Sequence, residues 1–170
     1  MNRLIWGIAL VVSMIACQDN NEAVKSEFSG NETVYALAQV SDYPVSGSVT
    51  FKEKVDGTTK VVVQLTGTEG NIEHPVHLHL GDITKPSVDV AALLTPVLGS
   101  TGKSETDLSR LSDESSITYK QILNLSACIK IHLGANGADR DVILTAGNIG
   151  AASAKDMSAG RRGVGVCKSE

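Results

Sequence analysis

After His74-Pro75, polar and apolar side chains alternate residue by residue through Val76-His77-Leu78-His79-Leu80. A period of two is that of a β-strand, whose successive side chains point to opposite faces. His77 and His79 are therefore expected on one face while Val76, Leu78 and Leu80 enter a core. The pattern returns in Cys128-Ile129-Lys130-Ile131-His132-Leu133, where Ile129, Ile131 and Leu133 alternate with outward residues. All four histidines of the chain, His74 included, fall in these two segments. Two such strands would deliver four imidazoles to one surface, and imidazole is a preferred ligand of copper and zinc.

The same periodicity governs much of the rest. Segments 33–40, 47–54 and 60–66 alternate or run β-branched, and Asp56-Gly57 marks a hairpin turn between the last two. Segments 117–119 and 162–167 read as further strands. Segment 88–98 is ambiguous, because Val90, Leu93, Leu94 and Val97 fit helical spacing while Thr95-Pro96 breaks it. Segment 100–116, rich in Ser, Thr and Asp, reads as a polar loop. An all-β chain of this kind is expected to fold as a Greek-key β-sandwich or flattened barrel.

The N-terminus speaks to compartment. Asn2-Arg3 is followed by a mainly apolar run, 4–16, too short to span a bilayer comfortably, which takes about 20 residues. It reads as a signal peptide, residues 1–16. Met14-Ile15-Ala16-Cys17 resembles a bacterial lipobox, so Cys17 is the expected lipidation site and membrane anchor. Residues 17–32 then form a polar tether ahead of one β domain, 33–170. The implied address is the bacterial cell envelope, and Gln18 after the lipid cysteine points to the outer membrane. The formal net charge of −4 supplies no basic footprint for nucleic acid. No phosphate loop or hydrolase nucleophile elbow is present, and the residues name no protein partner.

The segment Glu73-His74-Pro75-Val76-His77-Leu78-His79-Leu80-Gly81-Asp82 resembles the copper-binding strand of copper/zinc superoxide dismutases. The likeness runs intermittently from about residue 45 to 166 and includes Val45-Ser46-Gly47-Ser48-Val49-Thr50-Phe51. It implies a superoxide-dismutase-like fold with one copper ion held by His77, His79 and His132, and His74 in support. In Ala159-Gly160-Arg161-Arg162-Gly163-Val164-Gly165-Val166 it implies Arg161 as the arginine that guides superoxide, with Arg162 in that role if the loop slips by one residue. The family's zinc ligands have no counterpart, since no histidine lies between Leu80 and Ile131. The expectation is copper without zinc.

The His132 segment, with Gly134 and Ala146-Gly147-Asn148-Ile149-Gly150, also resembles the chordin-type (CHRD) domains, many of which have no known enzymatic role. A non-catalytic surface or copper-holding module is thus the alternative to a dismutase. Once Cys17 is lipidated, Cys128 and Cys167 remain. The exported context permits a disulfide between them, closing a loop of roughly 40 residues for about 3 to 4 kcal/mol, or leaves two free thiols.

Overall fold

Residues 26–84 and 89–158 are described by the computed structural model. The first three strands, β1 (Phe28–Gln39), β2 (Ser46–Lys54) and β3 (Thr59–Thr66), form an antiparallel meander. Its register sets Val49 opposite Val63 and Phe51 opposite Val61, all four almost wholly buried. Each such side chain contributes about 1.5 to 3 kcal/mol on leaving water. Tyr35 meets Phe51 edge to face at 5.9 Å between ring centroids. The β2–β3 turn falls at Asp56-Gly57 as the dipeptide predicts: Gly57 takes a φ of +83°, and Thr58 donates to Asp56 Oδ1 through both its backbone N and its hydroxyl. The first strand begins at Phe28, inside the stretch read as tether.

Five further strands follow: β4 (Glu73–Leu80), β5 (Val90–Leu98), β6 (Lys103–Leu108), β7 (Ser126–His132) and β8 (Ile143–Ile149). Around the molecule the order is β1-β2-β3-β6-β5-β4-β7-β8, closed into a barrel whose paired strands are all antiparallel. Closure is narrow at two seams. β8 pairs in register with β1 at Ala38↔Ala146 and Gln39↔Thr145, and β5 with β6 at Leu98↔Lys103, the latter seam helped by a bond from Thr95 N to Thr106 Oγ1. The interior is filled by the inward residues of both halves, among them Leu37, Phe51, Val76, Leu78, Ile129, Ile131 and Leu144.

Several local readings need correction. Within the ambiguous segment, Val90–Leu98 is strand, not helix, and its proline is tolerated because of where it lies. Thr95 and Pro96 fall in a register shift opposite Pro75, so two residues lacking a backbone N–H meet where the ladder is already interrupted. The 100–116 loop contains β6, whose inward positions include Ser104 as well as Leu108, so the apolar alternation that marks other strands is muted. The strand expected at 117–119 is the entry to a helix, α1 (Tyr119–Asn124). Thr118 caps it and Gln121 reaches back to the cap in a reciprocal capping box. The Tyr119 hydroxyl lies 2.8 Å from Thr33 Oγ1 in the interior and ties α1 to β1. Leu80, expected in the core, is 37% exposed at the end of β4.

Two more helices complete the fold. The short α2 (Ala138–Asp141) lies in the β7–β8 connection, and α3 (Gly150–Ser158) packs against β7 and β8. Asn148 on β8 donates to Asp156 Oδ2 of α3 at 2.7 Å and to Asp82 Oδ2 at 3.1 Å, and accepts from the Ile83 N–H. One amide side chain thus holds α3 and the chain leaving β4 together. Neither β8 nor α3 was expected as an element from sequence.

Candidate metal centre

Adjacent pairing of β4 and β7 builds the site. Their register sets His77 opposite Lys130 and His79 opposite Cys128, so these residues stand on the outer face while Val76, Leu78, Ile129 and Ile131 fill the interior. His132, at the end of β7 beside a register shift against β8, swings toward His77. Ring centroids are 4.7 Å apart for His77 and His132 and 5.8 Å for His77 and His79. One ligand nitrogen from each of the three rings lies within 4.8 Å of the others. This grouping can hold a metal ion.

Hydrogen bonding fixes which nitrogen His132 offers. Its Nδ1 lies 2.7 Å from the carbonyl oxygen of Arg140, and a carbonyl only accepts, so Nδ1 carries the proton and Nε2 the lone pair. That Nε2 is buried with no hydrogen-bond partner. An orphaned buried acceptor is costly, and a metal ion satisfies it. The electrostatics favour the same state. Burial first, then the neighbouring His132, His79 and Arg140, lower the His77 imidazole to about 4. Burial also lowers His132, against the opposing effect of its bond to the Arg140 carbonyl. Both rings are therefore neutral at physiological pH, the form that ligates.

A cleft of about 480 Å³ opens over the three histidines. Its walls include Asp89 and Val90 of the β4–β5 side, Lys130 of β7, and Arg140, Asp141 and Ile143. The two cationic side chains of the cleft, Lys130 and Arg140, were not assigned to the site from sequence. Lys130 could have been, because it precedes His132 by two residues on the same strand and shares its face. Arg140 left no such signal; the 133–142 connection folds back through bonds from Leu133 N to Val142 O and from Gly134 N to Asp139 O, which return Arg140 to His132.

His74 does not join the other three. It faces the opposite side of β4, is 4% exposed, and holds the Leu133 carbonyl at 2.9 Å through Nδ1. The outer surface receives three imidazoles instead of four, because His74 differs from His77 and His79 in strand parity. Its contact nonetheless reaches the residue after His132. Cys128 is a buried thiol beside His79, its pKa raised by burial. Arg161, Arg162, the 162–167 strand, Cys167 with its possible pairing to Cys128, and the lipidation residue Cys17 lie outside the described residues.

Comparison of the chain with protein-family models, with curated protein sequences and with solved structures finds no match.

Proposed function

We propose that this chain is an exported, lipid-anchored copper protein of superoxide-dismutase-like kind that removes superoxide. The observation carrying the proposal is the convergence of His77, His79 and His132 at an open cleft, with the His132 Nε2 lone pair buried and unsatisfied. Three imidazoles suit copper among the transition metals. When bound, copper would supply a one-electron Cu(II)/Cu(I) couple, the chemistry needed to convert two superoxides and two protons from water into oxygen and hydrogen peroxide.

The chain's own residues do the remainder. His77 and His79 project from consecutive outward positions of one strand and are held by its ladder with β7. The Arg140 carbonyl fixes the His132 tautomer, and His74 steadies the adjoining backbone at Leu133. Lys130 and Arg140 bring positive charge to the cleft, and fixed charge beside a recessed site raises encounter rates with an anion. Arg161 remains the residue that the dismutase resemblance assigns to this task. The strand order supports a Greek-key reading: β4, β5 and β6 are consecutive neighbours, and β7 returns to lie beside β4.

One observation favours the second reading, a non-catalytic copper-holding module. Asp89 and Asp141 share the cleft walls with the two cations and offset their pull on a small anion. The deciding experiment loads the purified chain with copper and compares superoxide removal with an equal amount of free copper under chelating control. Activity above that control is expected. Its absence in protein with confirmed stoichiometric copper leaves the holding module.

A further inference from the structure

Lys130 is only 8% exposed, yet among the described residues it has no carboxylate within ion-pair distance and no hydrogen-bond acceptor. The contrast within the molecule is sharp. Lys52 lies 3.4 Å from Glu32, while Lys54 and Lys60 lie 3.2 and 3.0 Å from Asp107, although all three are more exposed. Its aliphatic stem is covered while its ammonium is not sealed from water and opens into the cleft over the histidines, where no carboxylate of the described residues pairs with it.

Arg140 brings a second cation to the same walls while its carbonyl is fixed by His132. Asp89 and Asp141 also line the cleft, but neither reaches Lys130 as an ion pair. The volume of about 480 Å³ falls among small-molecule sites and far exceeds the needs of a diatomic. We propose that the cleft binds a small organic carboxylate, whose oxygens take the Lys130 ammonium and the Arg140 guanidinium as cationic partners. The planar guanidinium fork matches two carboxylate oxygens, and the lysine acts as a point charge. The two aspartates disfavour a doubly charged phosphate more than a singly charged carboxylate.

The cleft is the one that opens over the proposed copper site, but the test needs no metal. Thermal unfolding of the full-length chain in a chelator is followed with lactate, inorganic phosphate or chloride at matched ionic strength. Lactate at ten times its dissociation constant should raise the melting temperature by about 3 °C. Chloride should not, and phosphate should do less than lactate. Lys130→Met should abolish the lactate response, whereas Lys130→Arg should retain it. Arg140→Gln, at an exposed position, should weaken lactate binding at least tenfold and carries the test if Lys130→Met fails to fold. No lactate response in the wild type, a response unchanged in Lys130→Met and Arg140→Gln, or a larger response to phosphate overturns the proposal. None of these outcomes touches metal binding by the histidines, and a chain that binds no copper can still be tested for lactate.

Discussion

At the scale of single residues, the four histidines have separable roles. His77→Ala or His79→Ala removes one of only three imidazoles at the cluster and should abolish tight copper binding, measured by competition with a chromophoric chelator. His74→Ala leaves the cluster complete but strips a buried hydrogen bond from the Leu133 carbonyl. It should cost about 1 to 3 kcal/mol of stability while weakening copper binding far less. Equal copper loss in all three variants would end the distinction. The His77 pKa also predicts a pH dependence of the metal-free protein. The unfolded imidazole takes up its proton near 6.5 and the folded one only near 4, so between these values the unfolded state binds more protons. Stability should fall as pH drops from about 6.5 to 4, and His77→Gln should flatten that slope in urea titrations across the window.

At the scale of elements, the site depends on strands that a few residues hold in place. Gly147 on β8 has no room for a side chain, because an added Cβ would come 2.2 Å from the Ala36 carbonyl of β1 beside the narrow β1–β8 seam. Gly147→Ala should therefore lower stability by about 1 to 3 kcal/mol through overpacking, read by chemical denaturation. A neutral result would mean that the seam yields freely. Thr118 acts in a different way, through the N-terminus of α1. Thr118→Ala removes the hydroxyl that accepts from Gln121 N and should cost about 1 kcal/mol. The metal cluster, built on β4 and β7, should be unaffected by that change.

At the scale of the whole molecule, the closed barrel is shown, and the lipid anchor is proposed at Cys17, which lies outside the described residues. Cys17→Ser should leave the precursor unprocessed and free of fatty acid, which metabolic labelling with a radioactive fatty acid tests directly. Label that persists in the variant would place the anchor elsewhere. If the loaded site is catalytic, Arg140→Glu should slow superoxide removal without reducing copper content, since the His132 bond is made by the residue's backbone carbonyl. The loss should shrink with added salt, as charges screen over a Debye length of about 8 Å at physiological ionic strength. Copper content and rate that fall together would instead show Arg140 holding the site's structure.

The sequence by itself determined the β character of the chain and the pairing of His77 with His79, because a period of two is a local property of the backbone that each strand carries within its own residues. The Asp56-Gly57 turn was legible for the same reason, and the Thr118-x-x-Gln121 box was present as a pattern although Ile117-Thr118-Tyr119 reads as strand. Only the tertiary structure decided that β7 lies beside β4, bringing His132 within reach of residues more than fifty positions earlier. It also decided that His74 faces away, that Ser104 makes an inward position of β6, and that a reversed connection returns Arg140 to the cleft. Each of these depends on strand order, register or loop closure. Those are set by the packing of the whole barrel, and no single segment encodes them.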